Sequence, residues 1–251
     1  MTKLVGIINV TPDSFSDGGS SYQAEDAVSN IKKLVADGAD IIDIGAESTR
    51  PNAIPIPADE EWARLEPVLS LISGVDIKVS VDTYHPQTAK SSLNIGVGWI
   101  NDVSGLANIE MVDVVKDSDC KLVVMHSLTV PANKNVTMEV DCDPVEVVLR
   151  WAERCFSDLE AQGIKKDRII FDPGIGFGKT AKQSYQIIEG VSNFKELGVP
   201  ILVGHSRKSF MGVKAVDGDI DDETIKISKF LIENGVDYLR VHNVKRHKEI
   251  L

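Results

Sequence analysis

Arg168-Ile169-Ile170-Phe171-Asp172-Pro173-Gly174-Ile175-Gly176-Phe177-Gly178-Lys179-Thr180 is a short apolar run that passes directly into a carboxylate and then into a glycine-rich loop. The apolar run has the length and composition of a buried strand. Pro173 cannot donate to a ladder and so ends it, and the glycines let backbone approach a ligand closely. Asp172 therefore stands where a strand stops, on a rigid mount. In isolation such an aspartate serves equally well as a helix N-cap or a turn residue.

The same arrangement recurs along the chain, and that recurrence decides the architecture. Apolar residues at Ala24, Ala27, Val28, Ile31, Leu34 and Val35 have helical spacing. Gly38 follows as a C-cap, and then comes an apolar strand. Strands are predicted at Leu4–Ile8, Ala39–Ile44, Ile77–Val81, Trp99–Ile100, Leu122–Met125, Ile169–Phe171, Ile201–Val203 and Tyr238–Val241, each with polar residues clustered at its end. Eight strands alternating with helices in 251 residues predict a single α/β domain over 1–251, a (β/α)8 TIM barrel with its site at the C-terminal ends of the strands. An open doubly wound sheet would gather its ligand residues at one switch point, with Gly-x-Gly-x-x-Gly after the first strand. Here Asn9-Val10-Thr11-Pro12-Asp13 stands in that place.

A formal charge of -11 argues against a nucleic-acid partner, which needs clustered Lys and Arg. Positive contacts to an anionic substrate must be local, at Arg50, Lys179, Lys208, Arg240 and His242. Cys120, Cys142 and Cys155 lack Cys-x-x-Cys spacing and read as thiols of a reducing compartment. The run Leu4–Ile8 is too short for a signal peptide, and no segment reaches the ~18 apolar residues of a membrane span. The expectation is a cytoplasmic protein with neither a membrane nor a nucleic-acid partner.

The glycine-rich loop is not a nucleotide P-loop, because Pro173 occupies the position of the first required glycine. Phe177 reads either as an apolar wall for a flat ligand or as a core residue. A protein-held catalytic metal of the hydrolase type needs converging ligands such as His-x-His, which is absent; His126, His205 and His242 lie on different strand ends, and His85 and His247 read as surface residues. Arg240 and His242 sit two apart on the last strand and share a face. With Lys208 they suit an anion, at the strand 7 and 8 ends where this fold commonly binds phosphate. Asp82, Asn101 and Asp172 form the complementary set, a carboxylate–amide–carboxylate group able to read a ring with alternating donors and acceptors.

The ordered motifs Asn9-Val10-Thr11-Pro12-Asp13-Ser14-Phe15, Asp43-Ile44-Gly45, Glu47-Ser48-Thr49-Arg50-Pro51, Ser80-Val81-Asp82-Thr83, Asn101-Asp102-Val103-Ser104-Gly105, Met125-His126, Phe171-Asp172-Pro173-Gly174, Ser206-Arg207-Lys208-Ser209 and Arg240-Val241-His242 resemble those of the dihydropteroate synthases, pterin-binding TIM barrels. The resemblance spans essentially the whole chain. It implies condensation of dihydropterin-CH2-pyrophosphate with 4-aminobenzoate to give dihydropteroate and pyrophosphate, by an SN1-like displacement. It further implies that Asp82, Asn101, Asp172 and Lys208 hold the pterin, in a pocket lined by Val103, Met125, Phe177 and Gly204. Asn9, Arg240 and His242 would hold pyrophosphate with Mg2+, Asn9 serving as the protein's metal ligand, and Lys208, Arg240, His242 and Asn9 would carry the catalysis. Phe15, Thr49, Arg50, Pro51 and Ser206 would shape the aminobenzoate site, with the loops after the first two strands closing over it. A homodimer paired through the last helices is also implied.

Three features depart from the family's pattern: the stretch Ser127–Asp143, the acidic segment Asp217–Asp222, and Asn243 where Asp is common. Two other functions share the motifs: a non-catalytic pterin-binding paralogue, and a pterin-dependent methyltransferase, which would have no use for the Arg240 and His242 anion site.

Overall fold

A computed structural model of the protein describes residues 1–11, 20–50, 53–213 and 219–251. Eight strands are present, β1 (Lys3–Asn9), β2 (Ile41–Gly45), β3 (Lys78–Asp82), β4 (Trp99–Asp102), β5 (Lys121–Met125), β6 (Ile169–Asp172), β7 (Leu202–Val203) and β8 (Tyr238–Val241). Between and after them run α1 (Ser20–Ala36), α2 (Ala58–Leu71), α3 (Pro86–Asn94), α4 (Ile109–Val115), α5 (Pro144–Ala161), α6 (Ala181–Glu189), α7 (Ile220–Glu233) and α8 (Val244–Lys248). The strands are all parallel and lie in the order β6-β5-β4-β3-β2-β1-β8-β7. The two ends of that sheet meet through a parallel bridge between Phe171 and Ile201. There the Phe171 N–H donates to the Pro200 carbonyl at 2.8 Å, which closes the (β/α)8 barrel.

Every expected strand is present, with shifted ends. Asn101, Asp102 and Asp172 belong to their strands because the neighbouring strands continue to pair beside them, Asp82 with Asn101 and Met125 with Asp172. Ala39 and Asp40 form the exit turn of α1 instead of strand. Gly38 has φ of +101°, open to glycine at little cost, and the Asp40 carboxylate accepts the Leu4 N–H at 2.8 Å.

Alternation along each strand separates two cores. Outward residues, among them Ile42, Ile44, Val81, Ile100, Leu122, Phe171 and Val241, pack beneath the helices in one large cluster. Inward residues Val5, Ile41, Trp99, Val123, Ile170 and Leu202 fill the lower barrel, with Tyr238 against them. A parallel sheet buried on both faces demands these nearly continuous apolar runs. One level higher, the inward positions change character to Asn9, Asp43, Asp82, Asn101, Asp172 and Arg240, so the polar residues face one mouth.

The hub segment ends in a helix start. Thr180 accepts the Gln183 N–H at 3.2 Å while the Gln183 side chain accepts the Thr180 N–H at 2.9 Å, a reciprocal cap on α6. Phe171, fully buried at the closure seam, meets Phe156 and Phe194 edge-on with ring centroids 5.9 and 5.3 Å away. Phe171→Ala should therefore cost roughly 3–5 kcal/mol, read as a lowered urea midpoint, and Phe171→Leu should retain most of that stability.

Candidate active site

The mouth is organised around Arg240. Its Nε donates to Asp43 Oδ2 at 2.5 Å and an Nη donates to Asp82 Oδ2 at 2.7 Å. Asn101 Nδ2 donates to the same Asp43 oxygen at 3.1 Å. The Asp43 side chain is 1% exposed. Burial opposes charge on Arg240, yet Asp43 and Asp82 hold its guanidinium above the ordinary value. Burial drives the Asp82 carboxyl upward against the pull of Arg240.

Asp172 lies across β7 from Arg240. A Cβ at Gly204 would be 3.6 Å from Asp172 Oδ2 and 3.7 Å from Arg240 Cδ, so the glycine backbone runs between them. Asp172 Oδ1 accepts the Gly174 N–H at 2.7 Å, so the turn reading and the site reading are both true of one carboxylate. Burial raises its pKa, opposed by Lys208, the Gly174 N–H and Arg240. Lys208 Nζ donates to the Ile175 carbonyl at 2.6 Å and lies 4.7 Å from the centroid of the Phe177 ring. Burial lowers the Lys208 ammonium to about 8, with Asp172 holding it up. Phe177 is half-buried beneath that cation and is not a core residue. Val103 and Met125 are buried at the neighbouring strand ends.

On the opposite side, Ser206 Oγ is 2.9 Å from His242 Nδ1 and accepts the His242 N–H at 3.3 Å. Ser206 Oγ and His242 Nδ1 share that hydrogen bond, and either tautomer of the imidazole can make it. Burial, then the charges of Arg240, Arg207 and Arg50, push His242 down to about 4. Arg50, exposed on the loop after β2, is thus near enough for its charge to be felt at His242. Thr49 of the same loop accepts the Ala132 N–H at 3.2 Å, so the stretch Ser127–Asp143 reaches the β2 loop. Phe15 and Pro51 lie outside the described residues, as does part of the acidic segment Asp217–Asp222.

The backbone of the Ser206-Arg207-Lys208 turn is strained, with Arg207 at φ +54°. A bidentate pair with Asp221, at 2.7 and 2.8 Å, holds it. Asn243 Nδ2 donates to Asp221 at 3.2 Å while its oxygen caps α8. An aspartate at 243 could cap as well, but it would oppose Asp221, and this accounts for the departure at that position.

Several expectations are corrected. His247 is buried, 1% exposed, with Nδ1 2.6 Å from the Asn243 carbonyl and Nε2 3.0 Å from Ser228 Oγ. His205 and His126 face outward from the strands and away from the mouth. His205 packs on Thr224 and Ser228 of α7, and burial holds each imidazole down at about 3. Lys179 is no substrate contact, since its ammonium is 2.7 Å from His126 Nδ1 and donates to the Phe177 and His126 carbonyls. Asp82 and Arg240, assigned by the resemblance to different parts of a ligand, bond directly to each other. Asp43 received no role from the sequence, although a carboxylate flanked by Ile42 and Ile44 inside a buried strand is a visible signal of an internal ion pair.

Removing the arginine would strand two buried carboxylates. Arg240→Met should lower stability by roughly 3–5 kcal/mol, and Asp43→Asn with Asp82→Asn in that background should restore part of the loss in thermal unfolding.

A family model described as pterin binding enzyme matches residues 5–242. The folate synthesis bifunctional protein of Chlamydia muridarum is 40% identical across 100% of this chain, and the chain spans 58% of that protein's length. The dihydropteroate synthase of Streptococcus pyogenes serotype M6 is 36% identical, over 99% of this chain and 92% of its own. The crystal structure of dihydropteroate synthase from Clostridium difficile in the presence of pteroic acid superposes with a TM-score of 0.92 at 37% identity, covering 99% of this chain and 94% of that one. Matched along nearly its full length, this chain belongs to the pterin-binding enzyme family.

Proposed function

We propose that the protein is a dihydropteroate synthase, a transferase of folate synthesis that joins dihydropterin-CH2-pyrophosphate to 4-aminobenzoate and releases pyrophosphate. One observation carries the reading: a single barrel mouth offers buried Asp172 with half-buried Lys208 on one side of Gly204 and Arg240 with His242, suited to an anion, on the other. The pteroic acid beside which the Clostridium relative was crystallised unites a pterin with an aminobenzoate.

The roles are those that the resemblance implies, and the geometry is compatible with them. Asp172 retains lone pairs beyond its bond to Gly174 and can accept two parallel N–H donors from the pterin's amidine-like edge, each charge-assisted bond contributing roughly 1.5–3 kcal/mol. Asn101 and Asp82 border the same ring, Val103, Met125 and Gly204 line its pocket, and Phe177 forms a wall with Lys208 above it. Arg240 and His242 would meet the leaving pyrophosphate and stabilise charge as it develops. The electron-rich pterin then supports positive charge on the departing carbon, an SN1-like course. The arylamine is neutral at pH 7 and needs no strong base. Thr49, Arg50 and Ser206 surround its approach, and exclusion of water there protects the cation.

Mg2+ fits this site only as an ion resting mainly on substrate. Among the described residues no group of three His, Cys, Asp or Glu could hold a metal, whereas the Asn9 amide oxygen at the β1 end is a hard ligand of the kind Mg2+ accepts alongside phosphates. When bound, it would neutralise charge on the leaving group. We further propose a homodimer through the last helices, where Phe230 of α7 is 37% exposed, and a cytoplasmic location, which the three free thiols support.

Purified protein with Mg2+, pterin pyrophosphate and 4-aminobenzoate should release pyrophosphate; tight pterin binding without turnover would instead indicate the non-catalytic paralogue. Asp172→Ala should abolish pterin binding in calorimetry. Because the protonated Lys208 is the form that pairs with Asp172 and ligand, pterin affinity should fall as pH rises through about 8, and this alkaline limb should vanish in Lys208→Met.

A further inference from the structure

The loop after β2 carries Thr49 and Arg50, yet among its described residues Ser48, Arg50, Ile54, Pro55 and Pro57 are exposed, Ile54 at 85%. Its anchor is Glu47, whose side chain is 2% exposed. Glu47 Oε1 accepts the Tyr84 hydroxyl at 2.5 Å and the Ile56 N–H at 3.3 Å, and Oε2 lies 2.8 Å from His85 Nε2. One carboxylate thus ties the start of the loop to its end and both to the turn after β3. That turn is well rooted: the His85 N–H donates to Thr83 Oγ1 at 3.1 Å, Thr83 donates to buried Glu61 at 2.7 Å, and the Thr83 N–H donates to the Asn101 carbonyl at 3.0 Å. The Tyr84 and His85 rings pack against each other at 4.4 Å.

Asp82 immediately precedes Thr83. The four residues Asp82-Thr83-Tyr84-His85 therefore serve the pterin half at one end and grip the aminobenzoate loop at the other. We propose that Glu47 is a positioning residue for the second substrate: by cinching the β2 loop onto Tyr84 and His85, it holds Thr49 and Arg50 in register with the mouth. The proposal rests on the synthase reading above for the identity of that substrate, but the clamp itself is a property of the free protein.

Other ties on this loop run through backbone carbonyls, with Thr49 accepting the Ala132 N–H at 3.2 Å, Ala46 accepting from Arg64 at 2.9 Å and Pro57 accepting the Glu61 N–H at 3.0 Å. Glu47 also feels opposing forces, burial pushing its carboxyl up while His85 and Tyr84 hold it below the ordinary value. It remains a carboxylate at neutral pH, beside a His85 whose affinity for a proton the same bond raises.

Two measurements on Glu47→Ala, Glu47→Gln and His85→Ala test the clamp. In the free protein, Glu47→Ala should speed amide hydrogen exchange in peptides covering 47–57 while leaving β3 and β8 protected. In turnover assays it should raise KM for 4-aminobenzoate by roughly tenfold or more with pterin affinity unchanged. Glu47→Gln, which keeps the acceptor for Tyr84 and Ile56, should restore much of both, and the Glu47→Ala and His85→Ala effects should combine less than additively. Unchanged exchange in 47–57 would overturn the clamp whether or not the protein turns over. Normal exchange differences with an unaltered KM in an active enzyme would overturn the positioning role. A wild-type protein with no synthase activity would overturn the function, and the exchange result would still decide the clamp.

Discussion

A guanidinium held inside a barrel between two carboxylates sets the terms for the rest of this molecule. Arg240 reaches Asp43 and Asp82, and Asn101 shares the Asp43 oxygen. Charges taken out of water are costly unless they are paired with good geometry, and this set joins β8, β2, β3 and β4 across the barrel interior. Losing any one member exposes the others to an uncompensated burial cost. The polar groups of the upper barrel therefore hold one another in place in the free protein.

The inward face divides by height. The lower layer, with Val5, Ile41, Trp99, Val123, Ile170 and Leu202, is apolar and supplies the driving force that keeps the strands in register. Two residues beyond Ile41, Trp99 and Ile170 the side chains turn polar, to Asp43, Asn101 and Asp172, because those positions open to the mouth. A shift of one residue in any strand would exchange the inner and outer faces, so the register that buries the outer cluster also aims the site.

Polar groups behind the site stiffen it. The Lys179 amino group lies 2.7 Å from His126 Nδ1 and donates to two carbonyls beneath the glycine-rich loop. A Cβ at Gly174, where φ is +68°, would lie 1.9 Å from the His126 carbonyl oxygen, so only glycine permits that packing. Arg207, Asp221 and Asn243 do the same for the turn bearing Ser206 and Lys208, and Glu47 for the loop bearing Thr49. In each case a buried or half-buried side chain fixes a loop whose exposed surface could not order it, the support that a precisely aimed site requires.

The eight strands, the barrel and Asp82, Asn101, Asp172 and Arg240 at its mouth were legible in the sequence, because short apolar runs and helical spacing are local and each strand end repeats the same polar punctuation. The roles of His247, Lys179, Asp43 and Glu47 were not. His247 has the sequence setting of a surface residue and becomes buried only because α8 packs beside Ser228 of α7. Lys179 follows a glycine like a phosphate-binding lysine, yet its ammonium turns to His126, 53 residues away. Arg240 and Asp43 are 197 residues apart, and their bond exists because β8 pairs with β1, one strand away from β2, so that both side chains enter the same barrel interior. Sequence by itself determined where the strands end and which polar residues stand there; only the closed sheet decided which of them face inward and touch, since pairing of distant charges follows from the packing of the whole chain and leaves no mark on neighbouring residues.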